Sequence, residues 1–113
     1  MADLLSSLFG MGAGAVSLLC TYTSGTDLGA IEGKQIAVVV NEGKSEVSID
    51  NQVVMGIDTA NPLGITFSVR LSETQYSLGS LHRVTGEMYF GRHREGQPEQ
   101  TNYLTCKRVE PLF

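Results

Sequence analysis

Two cysteines, Cys20 and Cys106, bracket everything in this 113-residue chain that reads as folded. Each sits in a run with strand character: Leu18-Leu19-Cys20-Thr21-Tyr22-Thr23 near one end, Tyr103-Leu104-Thr105-Cys106-Lys107-Arg108-Val109 near the other. An even cysteine count at the two ends of a small β-rich segment predicts one disulfide closing the domain. Such a bond would constrain a loop of about 85 residues in the unfolded chain, worth on the order of 4 kcal/mol through loop entropy. That is a large share of a small domain's net stability. It would also place the chain in an oxidising compartment, periplasmic or secreted. The competing reading is two buried free thiols in a cytoplasmic protein, since free cysteine is often buried.

Between the cysteines the chain reads as short strands and turns. Ile36-Ala37-Val38-Val39-Val40 is a β-branched run, followed by a hairpin-type loop, Asn41-Glu42-Gly43-Lys44, with Gly43 placed for a positive φ. Glu46 to Asp50 alternates with period two, turning Val47 and Ile49 inward. Pro62 breaks the chain after Asn61, and Ile65, Phe67, Val69 and Leu71 then share one face. Tyr76 and Leu78 share a face in the next strand, Thr85-Gly86 makes a turn, and residues 92–98 read as a hairpin tip. Thirteen glycines and no tryptophan suit a turn-rich β protein. The expectation is all-β: a small antiparallel meander forming a barrel or sandwich over residues 20–113, preceded by an apolar segment over residues 1–19.

That segment carries no charge from residue 4 to residue 19. It fits a short helix capped by Asp3 or Ser6, whose apolar residues Leu4, Leu5, Leu8, Phe9 and Met11 would dock on the domain or on a partner. It also fits a signal-like segment with Ala13-x-Ala15 as a small-residue cleavage site, although Met1-Ala2-Asp3 lacks the basic start of such a signal. At about 16 residues with interspersed glycines, a membrane anchor through residues 4–19 is the least favoured of the three.

Charge limits the partners. The net charge is −4, all of it in the first fifty residues, while residues 51–113 balance six acids with six bases. A chain that grips a phosphate backbone carries a basic surplus, so nucleic acid is not an expected partner. The two histidines, His82 and His93, are far apart in sequence, with no His-x-x-x-His and no Cys-x-x-Cys. No metal or other cofactor is expected. A cysteine held in a disulfide is no nucleophile, and the acids are scattered singly, so no catalytic set emerges. The basic cluster is Arg92-His93-Arg94, which on a loop tip could grip a carboxylate, a phosphate or an acidic partner patch; Glu95 and Glu99 nearby blunt it, and the competing reading is a solvated hairpin tip.

The stretch from Tyr76 through Arg83-x-Thr85-Gly86 to Phe90, followed by Thr105-Cys106-Lys107-Arg108, resembles small bacterial exported β proteins. These carry an apolar-x-Arg-x-Thr-Gly strand–turn–strand and a final strand with Cys-Lys/Arg. The resemblance implies that Cys20 pairs with Cys106 and that the protein is exported. A looser likeness is to periplasmic lysozyme inhibitors, small barrels with cysteines near both ends. Their inhibitory loop is Ser-Gly-x-x-Tyr, and the nearest text here is Ser72-Glu73-Thr74-Gln75-Tyr76, with Glu73 in the glycine's place.

Physically, Arg83-x-Thr85-Gly86 needs only a turn. Gly86 supplies a positive φ, Thr85 hydrogen-bonds across it, and Arg83 lies over Tyr76 or Tyr89 or pairs with Glu87. The functional expectation is a non-enzymatic module, an accessory subunit or inhibitor, that binds another protein or itself through the arm, Arg92-His93-Arg94 or an exposed sheet edge. The alternatives are an apolar-ligand carrier lined by Phe67, Val69, Tyr76, Leu78 and Tyr89, and an exported inhibitor of the lysozyme-inhibitor type.

Overall fold

The computed structural model describes residues 14–26 and 30–109. Eight strands run in order: β1 Ala15–Gly25, β2 Gln35–Asn41, β3 Glu46–Ile49, β4 Val53–Ala60, β5 Gly64–Arg70, β6 Gln75–His82, β7 Glu87–Arg94 and β8 Gln100–Arg108. Each pairs antiparallel with the next, and β8 pairs back onto β1, so the meander is a closed barrel rather than a sandwich. Closure removes the free sheet edge at which a partner strand was expected to add: every strand has two neighbours.

Period two decides what fills the barrel. Val16, Leu18, Cys20 and Tyr22 of β1, Ile36, Val38 and Val40 of β2, Val47 and Ile49 of β3, and Leu104 and Cys106 of β8 alternate inward and are buried. Ile65 and Phe67 of β5 follow the expected phase, whereas Leu71 lies past the end of β5 and is exposed. In β6 the expected phase is reversed. Ser77, Gly79 and Leu81 face the core, while Tyr76 and Leu78 are half-buried on the outer wall. The cause is Phe67, whose ring occupies the middle of the barrel against Gly79. A Cβ at Gly79 would strike that ring and come within 2.6 Å of the Tyr89 carbonyl oxygen. A barrel of eight strands has room for its own side chains, and the buried apolar ones here form one cluster inside it.

Cys20 and Cys106 face each other across the β1–β8 seam and form a disulfide, with Cα atoms 4.0 Å apart. The apolar arm is shorter than the boundary at residue 19 implied: residues 15–19 belong to β1. Leu4, Leu5, Leu8, Phe9 and Met11 lie outside the described residues. The β2–β3 connection is a single 3-10 turn, Glu42–Lys44, and its left-handed residue is Ser45 at φ 57° rather than Gly43.

Candidate functional site

The two ends of the barrel are built differently. One is sealed by the loops β2–β3, β4–β5 and β6–β7. Arg83, the first residue past β6, turns inward over this end, where it is 8% exposed. Its Nη2 donates to Glu42 Oε2 at 2.8 Å, and its backbone N–H donates to the Leu63 carbonyl at 2.8 Å. The expected contacts with Tyr76, Tyr89 or Glu87 do not form, because those residues lie on the outer wall and Arg83 does not. The rest of the turn is as expected. Gly86 has φ 80°, and Thr85 Oγ1 accepts from the Glu87 N–H at 3.2 Å. His82 Nδ1 accepts from the N–H groups of Val84 at 3.3 Å and Thr85 at 3.2 Å. Arg83, Thr85 and Gly86 thus form a structural plug.

The other end, where the β3–β4, β5–β6 and β7–β8 loops lie, holds a cavity among the described residues. β7 does not stop before the basic cluster but runs through it to Arg94, so Arg92-His93-Arg94 is strand rather than loop tip. Arg92 pairs with Ser77 and Gln100, and Arg94 with Gln75. Alternation then splits the cluster. Arg92 and Arg94 continue the inward row of Met88 and Phe90 to the mouth, and His93 stands on the outer wall. There its ring stacks on Tyr76, with centroids 4.8 Å apart and planes at 24°. Arg70 flanks Tyr76 from β5, its guanidinium carbon 5.7 Å from the ring centroid. Its Nη1 also donates to the carbonyls of Ser72 and Glu73, both at 3.2 Å, which braces the β5–β6 loop.

Arg92 and Arg94 line a cavity of about 110 Å³ at this mouth, with Gln75, Ser77, Gln97 and Gln100. A smaller recess of about 60 Å³ meets it at Val53, Ser77 and Arg92 and runs inward to Met55 and Phe90. Among the described residues no acid lines the larger cavity, and Asp50 lines the smaller recess that shares Arg92 with it. On the outer wall beyond His93, Tyr89 and Tyr103 pair with centroids 5.3 Å apart. Tyr89 folds over Gly91, where a Cβ would lie 2.5 Å from the phenol oxygen. Burial foremost, then the Glu99 carboxylate and the neighbouring Tyr103 and Tyr76, push the Tyr89 phenol above its ordinary range.

Of the residues proposed to line an internal ligand site, Phe67 and Val69 are inward, while Tyr76, Leu78 and Tyr89 are not. Among the described residues no three His, Cys, Asp or Glu side chains converge on a metal position. Sequence reasoning missed Glu42 as the partner of Arg83, and Gln75, Ser77 and Gln100 as the row across from Arg92 and Arg94. The last three were open to discovery: carrying the period-two alternation of Met88 and Phe90 two residues further puts Arg92 on the inner face.

The fold therefore defines an eight-stranded antiparallel up-and-down barrel with one plugged end and one end where Arg92 and Arg94 line a cavity. No family model, curated protein or solved structure matches the chain.

Proposed function

We propose that the chain is a non-enzymatic protein-binding module, an accessory subunit or inhibitor, that works through the open mouth of its barrel and the wall beside it. The observation that carries this reading is the concentration of contact-forming side chains at one end. Arg92, Arg94, His93, Tyr76 and Arg70 meet there, beside the exposed Leu71. Arginine and tyrosine are the residue types enriched at the centres of protein interfaces. The interior adds support from the other side. Phe67 and its neighbours occupy the space an internal apolar ligand would need. The apolar residues Leu4, Leu5, Leu8, Phe9 and Met11 supply a second contact element in this reading, with self-association as one of its outcomes.

The disulfide supports work in an oxidising compartment, periplasmic or extracellular. The braced Ser72–Gln75 loop beside the mouth supports the inhibitor form of the reading, because a loop held in one shape loses little entropy on docking. A photo-crosslinking residue placed at position 71 or 93 tests it in extract from the native compartment. One discrete adduct from both positions, absent when the probe stands at position 48 on β3, is expected. Adducts of equal yield from all three positions, or from none, would overturn it.

A further inference from the structure

We propose that the outer wall of β4 to β7, beside the plugged end, binds a neutral carbohydrate, a short run of uncharged sugar units. The inference goes beyond the protein-contact reading and uses neither Arg92 nor the mouth. It starts from register. Thr59 stands opposite Thr66, Thr66 opposite Ser80, Ser80 opposite Tyr89, and Tyr89 opposite Tyr103. The chain neighbours of Thr66, Ser80, Tyr89 and Tyr103 face the core, so these four side chains point outward. One cross-strand row therefore carries a hydroxyl on each of five strands and no charge on any. A groove of about 250 Å³ opens on the same wall, lined by Thr59, Asn61, Thr66, Ser80 and His82, with the exposed Leu63 beside them. Gly64 leaves the wall bare at one point of that groove, where a Cβ would come within 2.6 Å of the Leu81 carbonyl oxygen.

Charge and hydrogen-bonding chemistry narrow the ligand. Among the described residues no charged side chain lines the groove, and Glu87, two residues before Tyr89 on the same outer face, is acidic. A phosphate or carboxylate would find no cation there and a like charge beside it. An apolar ligand would cover hydroxyls and leave them unpaired. A sugar matches the wall, because each of its hydroxyls both donates and accepts, as those of Thr59, Thr66 and Ser80 do. The polar groups are also held in place beforehand. Thr59 and Thr66 share a hydroxyl bond of 2.6 Å, and His82 Nδ1 is fixed by the Val84 and Thr85 N–H groups. Asn61 Oδ1 accepts from the N–H groups of Leu63 and Gly64, which leaves the side-chain NH2 to donate outward. Groups fixed in this way lose little entropy when a ligand binds. Next along the row, the half-buried Tyr89 ring lies along β7 over Gly91 and meets the exposed Tyr103. It offers the C–H face of a sugar ring an apolar surface with a polar tip.

The test is an amide-resolved NMR titration of the full chain with cellotriose, maltotriose and triacetylchitotriose, and with inorganic phosphate and N-acetyl-Ala-Thr-Ala-amide as controls. At least one trisaccharide is expected to shift the amides of Thr66, Ser80 and Tyr89 saturably, and phosphate none of them. Tyr89→Leu keeps an apolar cover over Gly91 but removes the ring, and should weaken that binding about tenfold. Ser80→Val removes one hydroxyl from the exposed wall and should weaken it about threefold. Where Tyr89→Leu fails to fold, Ser80→Val decides. Unchanged affinity in the folded variants would overturn the site. Shifts confined to the mouth, at Ser77 and Gln100, or no saturable shift with any trisaccharide, would do the same. Tighter binding of the tripeptide than of every trisaccharide would overturn the sugar and make the wall a peptide surface. Equal binding of phosphate would overturn recognition of a neutral ligand. The photo-adducts from positions 71 and 93 are read separately, so this site and the protein-contact reading fail independently.

Discussion

Each end of the barrel carries an arginine that leans over the core, and the two have opposite fates. Arg83 is buried against Glu42 and held by a turn that is itself hydrogen-bonded at His82, Thr85 and Gly86. Arg92 is exposed, at the meeting point of two recesses. Closure around Arg83 is reinforced by the disulfide. The Cys106 N–H donates to the Gly86 carbonyl at 2.7 Å, so the covalent staple and the plug share one backbone hydrogen bond. Removing one partner of a buried ion pair leaves a charge with no compensation, whereas an exposed charge keeps water beside it whatever else it touches. The difference teaches which end carries a buried charge and which keeps its charge in contact with solvent.

The largest break in that comparison comes from the staple. A loop spanning 86 residues of sequence separation is closed by Cys20–Cys106. Its loss as C20A/C106A should cost about 4.5 kcal/mol on the loop-entropy scale. Urea unfolding of the variant, set against the oxidised parent, reads this directly. A loss below about 1 kcal/mol would show that the β1–β8 seam holds without it. Next in size is Glu42→Ala. Glu42 keeps 25% of its side-chain surface and Arg83 only 9%, so the stranded charge is mostly that of Arg83. The expected cost is about 3 kcal/mol, the low end for a broken buried pair. Arg94→Gln at the opposite end, where the side chain is exposed, should stay within about 0.5 kcal/mol of the parent. Equal losses at the two ends would erase the distinction between plug and mouth.

How much of this was legible follows from the same two ends. The strands were readable wherever apolar and polar residues alternate, as at Val47 and Ile49 or Ile65 and Phe67, because one face is buried and the period is two. The pairing of Cys20 with Cys106 was readable because each lies in a strand-like run at an end of the meander. The phase of β6 is hidden in the sequence because Tyr76 and Leu78, the larger residues, look like the inward pair, whereas Ser77, Gly79 and Leu81 face the core. Space inside a small barrel is shared between strands, and Phe67 claims what Gly79 and Ser77 leave. The length of β7 was misread because Arg92-His93-Arg94 looks like a solvated tip. A ladder needs only backbone groups, and those of residues 92–94 pair with β6 whatever their side chains. The partner of Arg83 lies 41 residues away, on a short turn whose position depends on closure of the whole barrel.

The smallest effect belongs to the outer wall beside the mouth. Tyr89 is held neutral by burial first, then by the Glu99 carboxylate and by Tyr103 and Tyr76, so its folded value is raised. In the unfolded chain the phenol ionises near pH 10. Below that pH both states keep the proton, and the contribution of Tyr89 to stability is complete. As pH rises, the unfolded chain loses the proton first, and the contribution drains away as pH climbs through the folded value. Tyr89→Phe removes the ionisable group and keeps the ring over Gly91. At neutral pH it should lie within about 0.5 kcal/mol of the parent. Followed by far-UV circular dichroism, its alkaline unfolding should begin at higher pH than the parent's. An unchanged alkaline midpoint would mean that another group drives unfolding there. In that case the outer wall of β6 to β8 would be indifferent to the charge of this phenol.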